Sequence, residues 1–138
     1  MQKLSKRFTP KKFKLRVGRS STGKGLFAEE NIRKGACVIE YTGRPVGEAE
    51  QYTHRGKYLF ETSKTTMIDG NIPTNTAKYI NHSCKPNCEI DIKHKRVFVF
   101  ALRNIKAGEE LTYDYDTEYF ETYIKPKGCK CAACTRVK

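Results

Sequence analysis

A mainly β fold, built from many short strands with little helix, is what this 138-residue sequence predicts. Chain breakers fall every ten residues or so, at Gly18, Gly23, Gly35, Gly43, Gly56, Gly70, Pro73, Pro86 and Gly108, and the stretches between them favour Val, Ile, Tyr, Phe and Thr. That is the pattern of many short strands. Taken in order, a strand near 13–17 stops at Gly18, one near 25–28 starts at Gly25, one near 37–42 lies between Gly35 and Gly43, and one near 57–61 follows Gly56. A strand near 66–69 stops at Gly70, one near 87–92 follows Pro86, and strands near 96–102 and 110–115 lie either side of Gly108. Only 47–54 and 74–80 suit one or two helical turns, the second with Thr74 as N-cap.

The core centres on one hairpin. Cys88, Ile90 and Ile92 alternate with Glu89, Asp91 and Lys93, a polar turn spans 93–96, and 97–102 is apolar throughout. The second strand is therefore expected to be buried on both faces. A short echo also runs through the chain: Phe27-Ala28, Asn31-Ile32 and Gly35 return as Phe100-Ala101, Asn104-Ile105 and Gly108, at an offset of 73 residues. Two copies are too few for a solenoid and imply two similar hairpins within one domain.

The length fits one domain with a proper core and no need of disulfides. No apolar run approaches the ~18–20 residues that cross a bilayer, and no apolar signal segment follows Met1, so a soluble protein outside the Sec route is expected. The chain carries 27 Lys+Arg against 15 Asp+Glu, a formal net charge of +12. Residues 1–19 hold eight of the cations and residues 125–138 five, with no acid in either stretch. Such polarity suits an anionic partner such as nucleic acid, and equally suits solvated termini. Of six cysteines, Cys129, Cys131 and Cys134 are too crowded to pair, so metal ligation is the better reading than disulfides.

Four constellations carry candidate chemistry. In 22–26, Gly23 and Gly25 bracket Lys24, where a ligand can approach the main chain, although a plain turn would look the same. Asn81-His82-Ser83-Cys84-Lys85-Pro86-Asn87-Cys88 is a polar, proline-broken segment beside the core hairpin. In Glu110-Leu111-Thr112-Tyr113-Asp114-Tyr115, strand geometry puts Leu111, Tyr113 and Tyr115 on one face. Those phenols either pack at the core edge or line a slot for an alkylammonium. Cys129-x-Cys131-x-x-Cys134 offers three thiolates, and a tetrahedral zinc site needs a fourth from Cys84 or Cys88, with Cys37 left as a buried thiol. Such a bond would fold the tail over the Asn81 loop.

Taken together, Gly23-Lys24-Gly25-Leu26-Phe27, Glu40-Tyr41-x-Gly43, Tyr58, Ile68-Asp69, Asn81-His82-Ser83-Cys84-x-Pro86-Asn87, the Gly108 to Tyr115 run and the Cys-rich tail resemble the SET-domain protein lysine methyltransferases with a post-SET zinc segment. The resemblance spans about residues 13–134. It implies a β-clip SET fold of several small sheets with a knot-like active site, divided into a basic N-terminal arm (1–12), a SET domain (13–120) and a post-SET zinc-binding tail (121–138). It further implies S-adenosylmethionine bound by Lys24, Gly25, Leu26, Tyr58, Lys78, Asn81 and His82, and a lysine channel with Tyr115, Tyr113 and Tyr41 as the catalytic set. Zinc would sit on Cys84, Cys129, Cys131 and Cys134. Two departures stand out: Lys78-Tyr79 replaces the family's usual Arg-Phe, removing a bidentate fork, and no pre-SET cysteine cluster precedes the domain. The implied substrate is a histone or another basic protein inside the cell, approached past acids such as Glu48, Glu50, Glu118 and Glu121, with monomethylation favoured by a tyrosine at 113. A basic zinc-stabilised module that binds nucleic acid or chromatin without catalysis is the competing expectation.

Overall fold

The computed structural model describes residues 6–20, 23–47, 59–63 and 66–114. The expected helix at 47–54, residues 57–58 of the expected fourth strand, Tyr115, the acids at 48, 50, 118 and 121, and the whole tail lie outside the described residues, save Gly47.

The described chain is mostly strand, in four small sheets. Strands β1 (Leu15–Ser20) and β2 (Gly23–Ala28) form an antiparallel hairpin. Strand β3 (Cys37–Tyr41) joins β8 (Cys88–Lys93) and β9 (Arg96–Ala101) in a sheet ordered β3-β9-β8. Strands β4 (Arg44–Val46), β5 (Leu59–Glu61) and β6 (Met67–Asp69) form a third sheet with β6 central. Strands β7 (Asn81–His82) and β10 (Thr112–Tyr113) pair in parallel.

Strand β9 is the centre of the core, as its apolar run predicts. Val97, Val99 and Ala101 join Leu26, Val38, Ile80, Ile105 and Leu111 on one face, and Phe98 and Phe100 join Cys37 on the other. The second face is closed by the N-terminal arm. A short 3-10 turn (Lys6–Phe8) sets Phe8 edge-on against Phe98 and Phe100 at 5.3 and 5.5 Å, while the Arg7 guanidinium lies 3.9 Å from the Phe100 centroid and 2.8 Å from Asp91. Within the arm expected at 1–12, Arg7 and Phe8 are thus docked. The expected run 96–102 overshoots by one residue, since Leu102 is 37% exposed.

Other departures have local causes. Strand β1 runs through Gly18, because the missing side chain makes room for Arg16, whose guanidinium lies 4.8 Å over Phe27 on β2. Strand β4 contains Pro45 and escapes a propensity reading, yet it is an edge strand, where a missing N–H is tolerated. The helix expected at 74–80 is a single 3-10 turn (Thr76–Tyr79) that starts from Asn75, not Thr74. Asn75 makes no cap because its side chain is used elsewhere: Thr42 N donates to its Oδ1 at 3.0 Å and its Nδ2 donates to Gly70 O at 3.0 Å.

The echo at offset 73 is a local two-fold. Ile32 and Ile105 exchange both backbone hydrogen bonds, at 2.8 and 2.7 Å. Asn104 Oδ1 accepts from Lys34 N at 2.9 Å and Asn31 Oδ1 accepts from Ala107 N at 3.0 Å, the same bond made in both directions. Gly35 and Gly108 turn at φ +85° and +97° and donate to Ala101 O and Ala28 O. The expected hairpins are not formed, since β2 does not pair with β3 nor β9 with β10; the repeats are instead two similar connections that pack on each other.

Candidate active site

The segment that opens with Asn81-His82 and the one that runs from Glu110 meet where β7 runs parallel to β10, with Asn81 opposite Thr112 and His82 opposite Tyr113. The junction is pinned on both sides. Leu111 N donates to Leu26 O at 2.8 Å, bringing β2 alongside, and Ser83 N donates to Tyr113 O at 3.1 Å. Asn87, only 3% exposed, uses both ends of its amide: Nδ2 donates to Glu110 O at 2.8 Å and Oδ1 accepts from Thr112 N at 2.9 Å. A strand pair of two residues cannot satisfy its own backbone, and Asn87 supplies the missing partners. Lys24, Gly25, Leu26, Asn81, His82 and Tyr113 are thereby gathered from three distant parts of the chain.

Asn81 is held by its amide nitrogen. Nδ2 donates to Ser20 Oγ at 3.1 Å, Lys24 O at 2.9 Å and Glu110 Oε2 at 2.8 Å. Gly25 matters for this contact, since a Cβ there would collide with the Glu110 carboxylate. Ser20 and Lys24 also wall an open cavity of about 540 Å³ with Val17, Gly18, Arg19 and Gly23. Gly23, Lys24 and Gly25 thus lie on strand β2, and not in a turn.

Aromatic rings form a row beside the junction. Tyr41, 4% exposed at the end of β3, lies 5.1 Å from Phe60 on β5, and Phe60 lies 6.5 Å from Tyr113. Gly70 packs flat on the Tyr41 ring, where any Cβ would strike it. Because Asn75 binds both the Gly70 carbonyl and the amide of Thr42, the residue after Tyr41, one buried side chain clamps the two segments that confine the ring. Phe60 and Asn75 were not candidates from sequence, for each acts through partners that only the tertiary fold supplies.

His82 is buried, with Nδ1 3.5 Å from Asp114 and Nε2 3.3 Å from Cys84 Sγ; burial lowers its pKa, opposed by Asp114. Of the two candidates for a fourth zinc ligand, Cys84 is exposed whereas Cys88 is 1% exposed. Burial pushes the Cys88 thiol up to about 12 and the Cys37 thiol up to about 11. Lys24 and Lys78 both approach the Tyr79 ring, their ammonium groups 5.6 and 5.3 Å from its centroid, so Lys78 stands on the β2 side of the site. Tyr58, Tyr115, Cys129, Cys131 and Cys134 lie outside the described residues.

Residues 23–116 match the SET domain family. Among similar proteins, the histone-lysine N-methyltransferase trithorax of Drosophila virilis is 37% identical over 126 residues, covering 83% of this chain and 3% of the relative. The H3 lysine-4 specific histone-lysine N-methyltransferase of Neurospora crassa is 42% identical over 125 residues, 80% of this chain and 10% of the relative. The histone-lysine N-methyltransferase ASHH3 of Arabidopsis thaliana is 36% identical over 136 residues, 89% of this chain and 36% of the relative. The chain therefore spans a minor part of the length of each.

Proposed function

The chain belongs to the SET-domain family, and from that premise we propose that it is a protein-lysine N-methyltransferase that uses S-adenosylmethionine. The observation that carries the reading is the convergence of Lys24–Leu26, Asn81–His82 and Thr112–Tyr113 on one junction, beside an aromatic row and an open cavity. The residues present fit the cofactor: the cavity has the volume for a nucleoside sulfonium, Arg19 and Lys24 offer cations for its carboxylate, and the Asn81 amide offers an acceptor. Bound there, it would supply a methyl group on a cationic sulfur. Lys24, Gly25, Leu26, Tyr58, Lys78, Asn81 and His82 are the residues proposed to hold it.

The target lysine has to arrive uncharged, because an ammonium has no lone pair. Lowering its pKa from about 10.4 to ~8 takes about 3 kcal/mol, and desolvation among Tyr41, Phe60 and Tyr113 works in that direction. Tyr41, Tyr113 and Tyr115 orient the amine, so that catalysis is chiefly alignment, and Tyr115 sets its oxygen near the developing charge. The hydroxyl of Tyr113 narrows the channel and favours a single methylation. Zinc on Cys84, Cys129, Cys131 and Cys134 would tie the tail to the Asn81 loop; the exposure of Cys84 and the burial of Cys88 support Cys84 as the ligand. Histones are the substrate class that the relatives' names suggest, other basic proteins would enter the same channel, and the substrate would be met at chromatin or elsewhere inside the cell.

The deciding experiment follows labelled methyl from S-adenosylmethionine onto histones and a whole-cell lysate, with Tyr115→Phe and a zinc chelator as parallel arms. Label on lysine that drops in both arms is the expected result. The net charge of +12 favours a second reading, a basic module that binds nucleic acid. No label and no cofactor binding, with salt-sensitive DNA binding instead, would establish that alternative.

A further inference from the structure

Asn81 poses a question of orientation. Its carboxamide has a donor branch and an acceptor branch of nearly equal shape, and the two present opposite chemistry to whatever lies beside them. Two of its three neighbours settle which branch faces inward: the Lys24 carbonyl and the Glu110 carboxylate only accept, at 2.9 and 2.8 Å, so the group facing them is the nitrogen. Ser20 Oγ, at 3.1 Å, spends its own proton on Gly23 O and therefore also accepts. Oδ1 is turned away from all three, and among the described residues no donor reaches it.

We propose that Glu110 is a positioning residue that locks the Asn81 amide so that its oxygen faces the cofactor, making Asn81 an acceptor for an N–H or O–H of that molecule. The inference rests on the cofactor reading above. Glu110 provides the charge-assisted member of the three bonds, the strongest kind. It comes from the segment just before β10, reaching Asn81 across the position where Gly25 leaves space. Gly25 is thereby assigned a task distinct from close approach of a ligand to the main chain: it admits a carboxylate that sets the polarity of a neighbour. Without that carboxylate only the two neutral acceptors, the Lys24 carbonyl and the Ser20 hydroxyl, hold the nitrogen, and the orientation of the amide is less firmly fixed.

Calorimetry with S-adenosylhomocysteine and with methylthioadenosine, which keeps the nucleoside but lacks the amino-acid arm, tests this in the intact chain. Glu110→Ala is expected to weaken S-adenosylhomocysteine binding roughly tenfold, the scale of one charge-assisted bond. Glu110→Gln, which keeps an acceptor oxygen for Asn81, is expected to retain most of the affinity. In an Asn81→Ala background, Glu110→Ala is expected to have no further effect. Loss for both ligands places the acceptor against the nucleoside, and loss for S-adenosylhomocysteine alone places it against the amino group; either supports the proposal. Equal loss in the Asn81→Ala background, or no loss at all, overturns it. If the unsubstituted protein binds neither ligand, the cofactor reading fails and the inference with it. Should Glu110→Ala not fold, the side-chain amide protons of Asn81 give a second readout by NMR: they shift between the unsubstituted protein and Glu110→Gln if the carboxylate binds them, and an unchanged signal overturns the assignment.

Discussion

Tyr113 sits at one end of the aromatic row, and its hydroxyl is the feature that separates it from phenylalanine at the same point. In the proposed lysine channel, removing that oxygen would give the room a methyl group needs, so Tyr113→Phe is expected to shift products from monomethyl to di- and trimethyl lysine in mass spectra of a modified peptide. Efficient trimethylation by the unsubstituted protein would sink the idea. Asn75 works at the same scale by different means. Truncation to Ala leaves the Thr42 amide and the Gly70 carbonyl without their partner, at a cost of about 2–3 kcal/mol in denaturant unfolding. Asn81 and His82 stood out in the sequence because they lie within a dense polar octet. Asn75 did not, since a single asparagine before a short helix reads as a turn residue, and the two groups it joins are 33 and 5 residues away along the chain.

Among the elements, the hairpin of β8 and β9 was the most legible, because five consecutive apolar residues on β9 leave no face for solvent. Its tip was less so. His94 and Lys95 both adopt positive φ, 51° and 62°, the geometry of a tight two-residue hairpin turn that favours Asn and Gly. Holding a lysine there costs about 1 kcal/mol, so Lys95→Gly is expected to raise the unfolding midpoint, and a lowered midpoint would contradict the turn assignment. The turn between β9 and β10 carries a pH dependence. The Arg103 guanidinium, 3.0 Å from Glu109, holds that carboxyl below its ordinary value of 4.5, helped by the amide of Lys106. A depressed pKa in the folded state means that the stabilisation is present above the ordinary value and disappears as pH falls through the folded one. Glu109→Gln is therefore expected to flatten the acid side of the stability profile while leaving the neutral side lower.

For the whole molecule, the shortness of the strands and the scarcity of helix followed from the spacing of glycines and prolines, whereas their grouping into sheets and their order within them did not. Pairings such as β7 with β10 join segments 31 residues apart through two dipeptides, too short for any pattern to announce. The local two-fold was visible as a repeated string but not as a contact, since identical strings say nothing about facing each other. That contact has a kinetic meaning. Neither Asn31 nor Asn104 has its partner until the chain has closed a loop of 73 residues between Ile32 and Ile105. Loop closure on that scale delays non-local pairing, so these bonds are expected to form after the folding barrier has been crossed. Asn31→Ala and Asn104→Ala are accordingly expected to speed unfolding in stopped-flow traces and leave the refolding rate nearly unchanged. That outcome would make the seam one of the late-closing parts of the fold, whose opening governs how long the native state lasts.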